Sequence, residues 1–210
     1  MFLTYDWQDF THGGHNYRAR LDVDQDTGAP WENEDGHGEV SDWTSRDKLP
    51  GELVLSEDRR SKRYYDFAGA VAKAKSEGWG FMPYPLTIKA DDENRAPYTA
   101  CGGWAIAGPF KAYDPENFNR AVAAVYAQHK ATFPSAKAYA AAAAMADFKR
   151  LRDWCNDEWC YVGVIVELLD DEGEPTGETA SLWGIESDCD DYLAEVAIEL
   201  TGEIAPPLAA

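Results

Sequence analysis

Trp31-Glu32-Asn33-Glu34-Asp35-Gly36-His37 gathers three carboxylates and an imidazole beside an indole within seven residues. Such a group could hold a divalent metal that activates water, or supply the acid and base of a sugar hydrolase. Trp31, Glu32, Glu34, Asp35 and His37 therefore form a candidate loop site, suited to a metal-dependent hydrolase or a small-molecule-binding protein. The plainer reading is a polar surface loop pinned by Trp31.

Asp22, Asp24 and Asp26 open like a calcium loop, with carboxylates at positions 1, 3 and 5. The pattern then departs: Gly28 falls at position 7 and Asn33 stands where a bidentate Glu belongs. An Asp-rich turn at a strand end explains it better. Cys155 and Cys160, with His12 and His15, contain the residue types of a structural zinc site. Cys155 falls on an apolar helix face and Cys160 on a strand, so the expectation is buried thiols, no metal and no cofactor. His37 and His129 have no evident partner in the sequence. GxSxG, phosphate-loop, HExxH and dinucleotide-loop signatures are all absent. No catalytic residue is assigned.

A different kind of chemistry is suggested near the C-terminus. Asp191, Glu195, Glu199 and Glu203 recur every four residues. On a helix they share one face, about 6 Å apart along the axis. Like charges at this spacing oppose the helix by a few tenths of a kcal/mol per pair. Exposed helices usually mix Lys and Arg into such a face, and this one has neither. Asp170, Asp171, Glu172 and Glu174 cluster just upstream. Together these eight carboxylates are the candidate partner-binding set. Duplex DNA is also a regular array of anions, so a folded carboxylate surface could occupy a DNA-binding cleft. A solvated acidic face is the bland alternative.

The charge distribution sharpens this. The 210-residue chain carries 19 basic and 38 acidic side chains, net −19. Residues 1–60 are net −8, residues 61–150 net +4 and residues 151–210 net −15, with Arg152 the one base in that last stretch. Such a field repels nucleic acid and anionic membranes and attracts basic protein surfaces. The sequence has no long apolar run and no basic, apolar leader at its start. Four cysteines in a chain of this length do not suggest a secreted disulfide framework. The expected compartment is a reducing cytoplasm.

These residues need a scaffold, and the sequence predicts one. Alternation from Tyr17 to Asp24 predicts a half-buried strand. Glu52 to Leu55 is a second, short one. Asp66 reads as the N-cap of a helix ending at Gly78, with Phe67, Val71 and Ala74 inward and Gly69 weakening it by about 1 kcal/mol. Residues 79–113 read as largely irregular, with short strands at Leu86–Lys89 and Gly103–Ile106. Asp114-Pro115 starts a helix with Phe118, Val122 and Val125 inward, closed by Pro134. Ser135 starts another, running through alanines to Cys155. Trp159 to Leu169 is a buried strand, residues 170–177 a charged turn and Thr179 to Ile185 its partner. Trp154, Trp159, Tyr161 and Trp183 read as packing aromatics. Ser187 caps a last helix with Tyr192, Leu193, Val196, Leu200 and Ile204 inward. The fold class is α+β: an antiparallel sheet with helices packed on one side, ending in an acidic hairpin and helix. One domain over 1–210 is expected, with 81–135 a possible elaboration.

Several stretches resemble a family of uncharacterised bacteriophage and prophage proteins. They are Trp31-Glu-Asn-Glu-Asp-Gly-His-Gly38, Ser41-Asp-Trp43, Lys48-Leu-Pro-Gly-Glu52 to Arg59, Arg63-Tyr-Tyr-Asp-Phe67 and Gly78-Trp-Gly80. Further on come Asp147-Phe148, Leu151-Arg-Asp-Trp-Cys-Asn-Asp-Glu-Trp159, Tyr161-Val-Gly-Val164 and Ser181-Leu-Trp-Gly-Ile-Glu-Ser-Asp188. The resemblance implies a phage origin and action in the host bacterial cytoplasm; it carries no activity and no residue role. The leading expectation is an acidic inhibitor of the anti-CRISPR or anti-restriction type. Its partner would be a host protein or ribonucleoprotein with a basic nucleic-acid-binding surface, bound without direct contact to nucleic acid or membrane. A hydrolase or binding protein using the Glu32–Asp35 loop, and a phage assembly protein, are the alternatives.

Overall fold

The computed structural model describes residues 3–33, 36–79, 86–88, 98–101, 104–105 and 130–205, with backbone alone at 86–88, 98–101 and 104–105. The fold is α+β, with antiparallel sheets. In chain order the elements begin with β1 (Gln8–His12), β2 (His15–Val23), α1 (Pro30–Asn33), β3 (Glu52–Asp58), β4 (Ser61–Asp66) and α2 (Phe67–Glu77). They continue with β5 (Leu86–Ile88), β6 (Tyr98–Cys101), β7 (Trp104–Ala105), α3 (Ala136–Cys155), β8 (Tyr161–Leu169), β9 (Pro175–Glu186) and α4 (Asp190–Ile204). The chain divides into two compact units, one of Met1–Gly28 with Trp159–Ala210 and one of Ala29–Glu158.

The first unit is a four-stranded antiparallel sheet in the order β1-β2-β8-β9. β1 and β2 join through Gly13 and Gly14, both at positive φ, so His12 pairs with His15. Two glycines suit such a two-residue hairpin turn, because both positions need φ above zero. β2 and β8 pair without a break from Asn16↔Leu169 to Val23↔Val162. That register sets Tyr17, Ala19 and Leu21 on the same face as Val162, Val164, Val166 and Leu168. Leu193, Val196, Ala197 and Leu200 of α4 belong to the same buried cluster. Each fully buried Val or Leu contributes about 1.5–3 kcal/mol, so this layer is the unit's main source of stability.

The expected start of the last helix is corrected. Cys189, not Ser187, occupies the N-cap. Ser187 Oγ instead accepts from the Cys160 amide at 3.0 Å, while the Ser187 amide donates to the Cys160 carbonyl at 2.9 Å. The hydroxyl thus closes the sheet end. Asp190 and Asp191 lie in the first helical turn, where the helix dipole favours anions.

The second unit holds the β3-β4 hairpin, α2 and α3. β3 is longer than expected, and β4 was not expected at all. Their turn is Arg59-Arg60, with Arg59 at φ 43°, a residue pair that carries no turn signature. Asp66 Oδ1 accepts from the Gly69 amide at 2.9 Å and Gly78 closes α2 at φ 75°, as the sequence predicts. Gly69 has its own reason. A Cβ there would collide with the Asp66 capping carboxylate. Ser135 caps α3 by accepting from Ala138 N at 3.1 Å. Ala140, Ala143 and Ala144 are buried, as are Ala70 and Ala74 of α2. The alanine run therefore does more than favour a helix: small side chains let α2 and α3 pack closely. The expected helix after Asp114 lies outside the described residues. β5, β6 and β7 form a three-stranded antiparallel sheet, near the expected short strands.

Candidate partner-binding face

The two units differ sharply in charge. The first has 2 basic and 18 acidic side chains, net −16; the second has 17 and 20, net −3. Arg18 and Arg20 are the first unit's two bases, and both are engaged. Arg18 forms an ion pair with Glu167 at 2.6 Å, and Arg20 pairs with Asp22 at 3.2 Å. Both guanidinium groups also lie over the Trp7 ring, at 4.5 and 4.9 Å from its centroid. Neither base neutralises the carboxylates of α4 or of the β8-β9 turn through any of these contacts.

Asp191, Glu195, Glu199 and Glu203 are all exposed on α4, while Leu193, Val196, Ala197 and Leu200 are buried. The core alternation fixes the stripe outward. Burial of the Glu195 carboxyl, followed by the charges of Glu199 and Asp191, raises its pKa above the usual range. The charges of Glu199 and Asp191 act in the same direction as burial. The stripe persists because α4 is held by its apolar face, not by its surface charges.

Asp170, Asp171, Glu172 and Glu174 are likewise exposed, on the turn between β8 and β9. Asp170 builds that turn. Its Oδ1 accepts from Glu172 N at 3.0 Å and Glu174 N at 2.8 Å, and Gly173 takes φ 85°. Asp170 thus shapes the turn backbone that carries the other three carboxylates. α4 packs on β8 and β9, the two strands that carry the turn. All eight expected residues thus belong to α4 or to the turn between the two strands on which α4 packs.

The loop of the second unit behaves differently. Trp31 packs edge-on against Trp154 at 5.3 Å, with Arg63 over its ring at 5.2 Å. Glu32 Oε2 accepts from Ala29 N at 3.3 Å, capping its own short helix. Glu34 and Asp35 lie outside the described residues. His37 turns inward: its Nδ1 lies 2.5 Å from Asp147 Oδ1. Asp147 is 0% exposed and also accepts at Oδ2 from Gly38 N at 2.8 Å and the Tyr65 hydroxyl at 2.6 Å. Burial and then the Asp147 charge push the Tyr65 hydroxyl far above its usual range, so it remains a donor. A carboxylate–histidine pair can orient a general base. Here the carboxylate lies in the core with three protein donors, and it fastens residues 37–38 to α3 and β4.

Sequence reasoning missed Asp147. A signal existed, since Asp147 lies four residues from both Ala143 and Leu151, on the buried face of α3. The calcium-like run also resolves into structure. Asp24 Oδ1 accepts from Asp26 N and Thr27 N, and Oδ2 from Thr27 Oγ1 and Gly184 N, at 2.7–3.0 Å. Thr27, foremost through its hydroxyl, holds the Asp24 carboxyl below the usual range. Both oxygens are occupied by protein donors. Among the described residues one trio, Glu186, Asp188 and Cys189, brings ligand-type atoms within 4.8 Å of one another. It lies at the positive end of α4, where carboxylates are favoured without an ion, and each member also engages other groups.

Trp159 and Tyr161 are buried and meet edge-on at 5.4 Å, as packing aromatics should. Trp183 is the exception, 46% exposed. No helix of the described residues is long and apolar enough to cross a membrane. No family model, curated protein or solved structure matches this chain.

Proposed function

We propose that this protein is a phage-encoded inhibitor that works by binding, through the carboxylate face of its first unit. The partner is a bacterial defence or nucleic-acid-handling complex of the kind that anti-CRISPR or anti-restriction proteins block, met in the host cytoplasm. The exposed stripe on α4 and the ordered β8-β9 turn take the place of phosphates in a basic cleft. Association is steered by long-range attraction and weakens as salt rises. The mechanism is steric and electrostatic, with no bond made or broken.

The observation that carries this reading is the unbalanced net −16 of one 80-residue unit whose two bases are tied up by Glu167, Asp22 and Trp7. General solubility requires a net charge of only about 2–8 for a small domain, well below this. A solvated face would also gain from mixing lysines into the stripe.

The test is partner capture from bacterial lysate, comparing the wild type with Glu195→Lys/Glu199→Lys. The expected result is a nucleic-acid-binding complex retained by the wild type, displaced by duplex DNA, and lost in the variant. Equal capture by a variant of unchanged fold sinks the proposal.

A further inference from the structure

β9 is the outer strand of its sheet, and among the described residues no strand pairs with its other edge. It is also long and open. Of its 12 residues only Ala180 and Ile185 are buried. Pairing with β8 is regular over Thr179–Leu182, from Glu167↔Thr179 to Val164↔Leu182, and the register shifts lie on either side of that stretch. Natural edge strands are usually blunted by Lys, Pro, a bulge or short length. Pro175 and the two register shifts blunt the ends of β9, and the four-residue regular stretch between them carries neither Lys nor Pro. A free row of backbone donors and acceptors is a template for an added strand.

The side chains around this row are selective. Leu182 is 43% exposed, and its neighbour Trp183 lies across Gly163, so close that a Cβ there would enter the ring. Successive strand residues face opposite sides. An added strand therefore meets the aliphatic Leu182 on one side, while on the other the Trp183 ring leans back over β8 with 46% of its surface exposed. The Trp183 Nε1 donates to Ser181 Oγ at 3.1 Å, which ties down the nitrogen edge of the ring. Such a ring favours a Lys or Arg stem with its cation above it. Glu174 and Glu178 precede the regular stretch and are exposed.

We infer that the free edge of β9 receives an extended basic segment of the partner by strand addition, with aliphatic and Lys or Arg side chains alternating along it. A second copy of this chain would suit the backbone equally well. Charge decides against it, because two units of net −16 would meet edge to edge within a Debye length. The inference rests on the proposed docking to a basic partner and adds the element that recognises backbone.

The probe is a labelled peptide of four Lys-Val repeats, set against one of four Lys-Pro repeats with equal charge and fewer backbone donors. The expected result is at least tenfold tighter binding of the Lys-Val peptide. Hydrogen exchange should then slow at amides between Glu178 and Trp183. Leu182→Lys/Trp183→Ala should weaken the Lys-Val peptide severalfold and leave the Lys-Pro peptide unchanged. Equal binding of the two peptides, or slowed exchange at α4 and the β8-β9 turn only, overturns strand addition and leaves the carboxylate face standing. Slowed exchange in β9 that Glu195→Lys/Glu199→Lys does not alter supports strand addition and counts against the stripe. A dimer in sedimentation that Leu182→Lys/Trp183→Ala abolishes overturns the inference in favour of a second copy.

Discussion

The Tyr65 hydroxyl donates to Asp147 Oδ2 at 2.6 Å across 82 residues of sequence. This contact ties β4 to α3 through a carboxylate that water does not reach. The same oxygen takes the Gly38 amide, and Oδ1 takes the His37 ring. Three segments of the second unit, residues 37–38, β4 and α3, are thus joined by one side chain. Tyr65→Phe keeps the ring and removes one donor; the expected loss is about 1–2 kcal/mol. Asp147→Ala removes the acceptor of the Gly38 amide and the His37 ring and leaves the Tyr65 hydroxyl only the Ala144 carbonyl at 3.2 Å, with an expected loss of about 3–5 kcal/mol. Urea denaturation measures both. A change below about 1 kcal/mol for Asp147→Ala would show that the hub does not hold the unit together.

Gly38 is the tightest point of this hub. A Cβ at Gly38 would stand 2.5 Å from Tyr65 Cζ, and Tyr65 is fully buried with no room to retreat. Gly38→Ala should therefore destabilise by about 1–3 kcal/mol through overpacking alone. Combined with Tyr65→Phe the losses should be non-additive, because both substitutions strain the same contact with Asp147. Strict additivity in a double-mutant cycle would contradict the shared site.

How much of this could be read from the sequence depends on range. Local signals were legible: Asp66 and Ser135 as caps, Gly78 as a left-handed stop, the β8 alternation, and the outward stripe on α4. The Gly13-Gly14 hairpin was equally local, yet the flanking His and polar residues masked its period-two pattern. The Arg59-Arg60 turn left no mark, because tertiary pairing of β3 with β4 imposes its positive φ. Non-local chemistry was the least legible. His37 and Asp147 stand 110 residues apart, and only the packing of the second unit brings them together. The carboxylate loop pointed to chemistry because its residue types suit it. The fold uses Trp31, Glu32 and His37 for packing, capping and an internal tie.

Asp24 gives the first unit an acid limit. Its folded pKa is depressed, so its contribution is complete above the unfolded value and is lost as pH falls through the folded one. Protonation removes acceptor capacity from an oxygen pair that serves Asp26 N, Thr27 N, Thr27 Oγ1 and Gly184 N. Below that depressed folded pKa the Gly184 amide should lose protection, while amides of α3 remain protected. Asp24→Asn should lose about 1 kcal/mol at neutral pH, allowing for partial exposure, and show a flatter acid limb. Unchanged pH dependence in Asp24→Asn would remove Asp24 as the cause.

Glu195 links stability to binding with opposite signs. Its folded pKa is raised, foremost by burial and then by Glu199 and Asp191. The native state holds the proton more tightly than the unfolded chain. Stability therefore falls as pH rises from the unfolded pKa through the folded one, and the strain persists at neutral pH. Glu195→Gln relieves both the desolvation and the repulsion. It should stabilise the protein by a few tenths of a kcal/mol at pH 7 and have less effect at pH 4. If the stripe is the interface, the same substitution weakens the partner complex and lowers its salt dependence. Thermal melts at the two pH values, alongside affinity at two salt concentrations, separate the effects. A variant that is both more stable and equally tight in binding would identify the stripe as a solvated face.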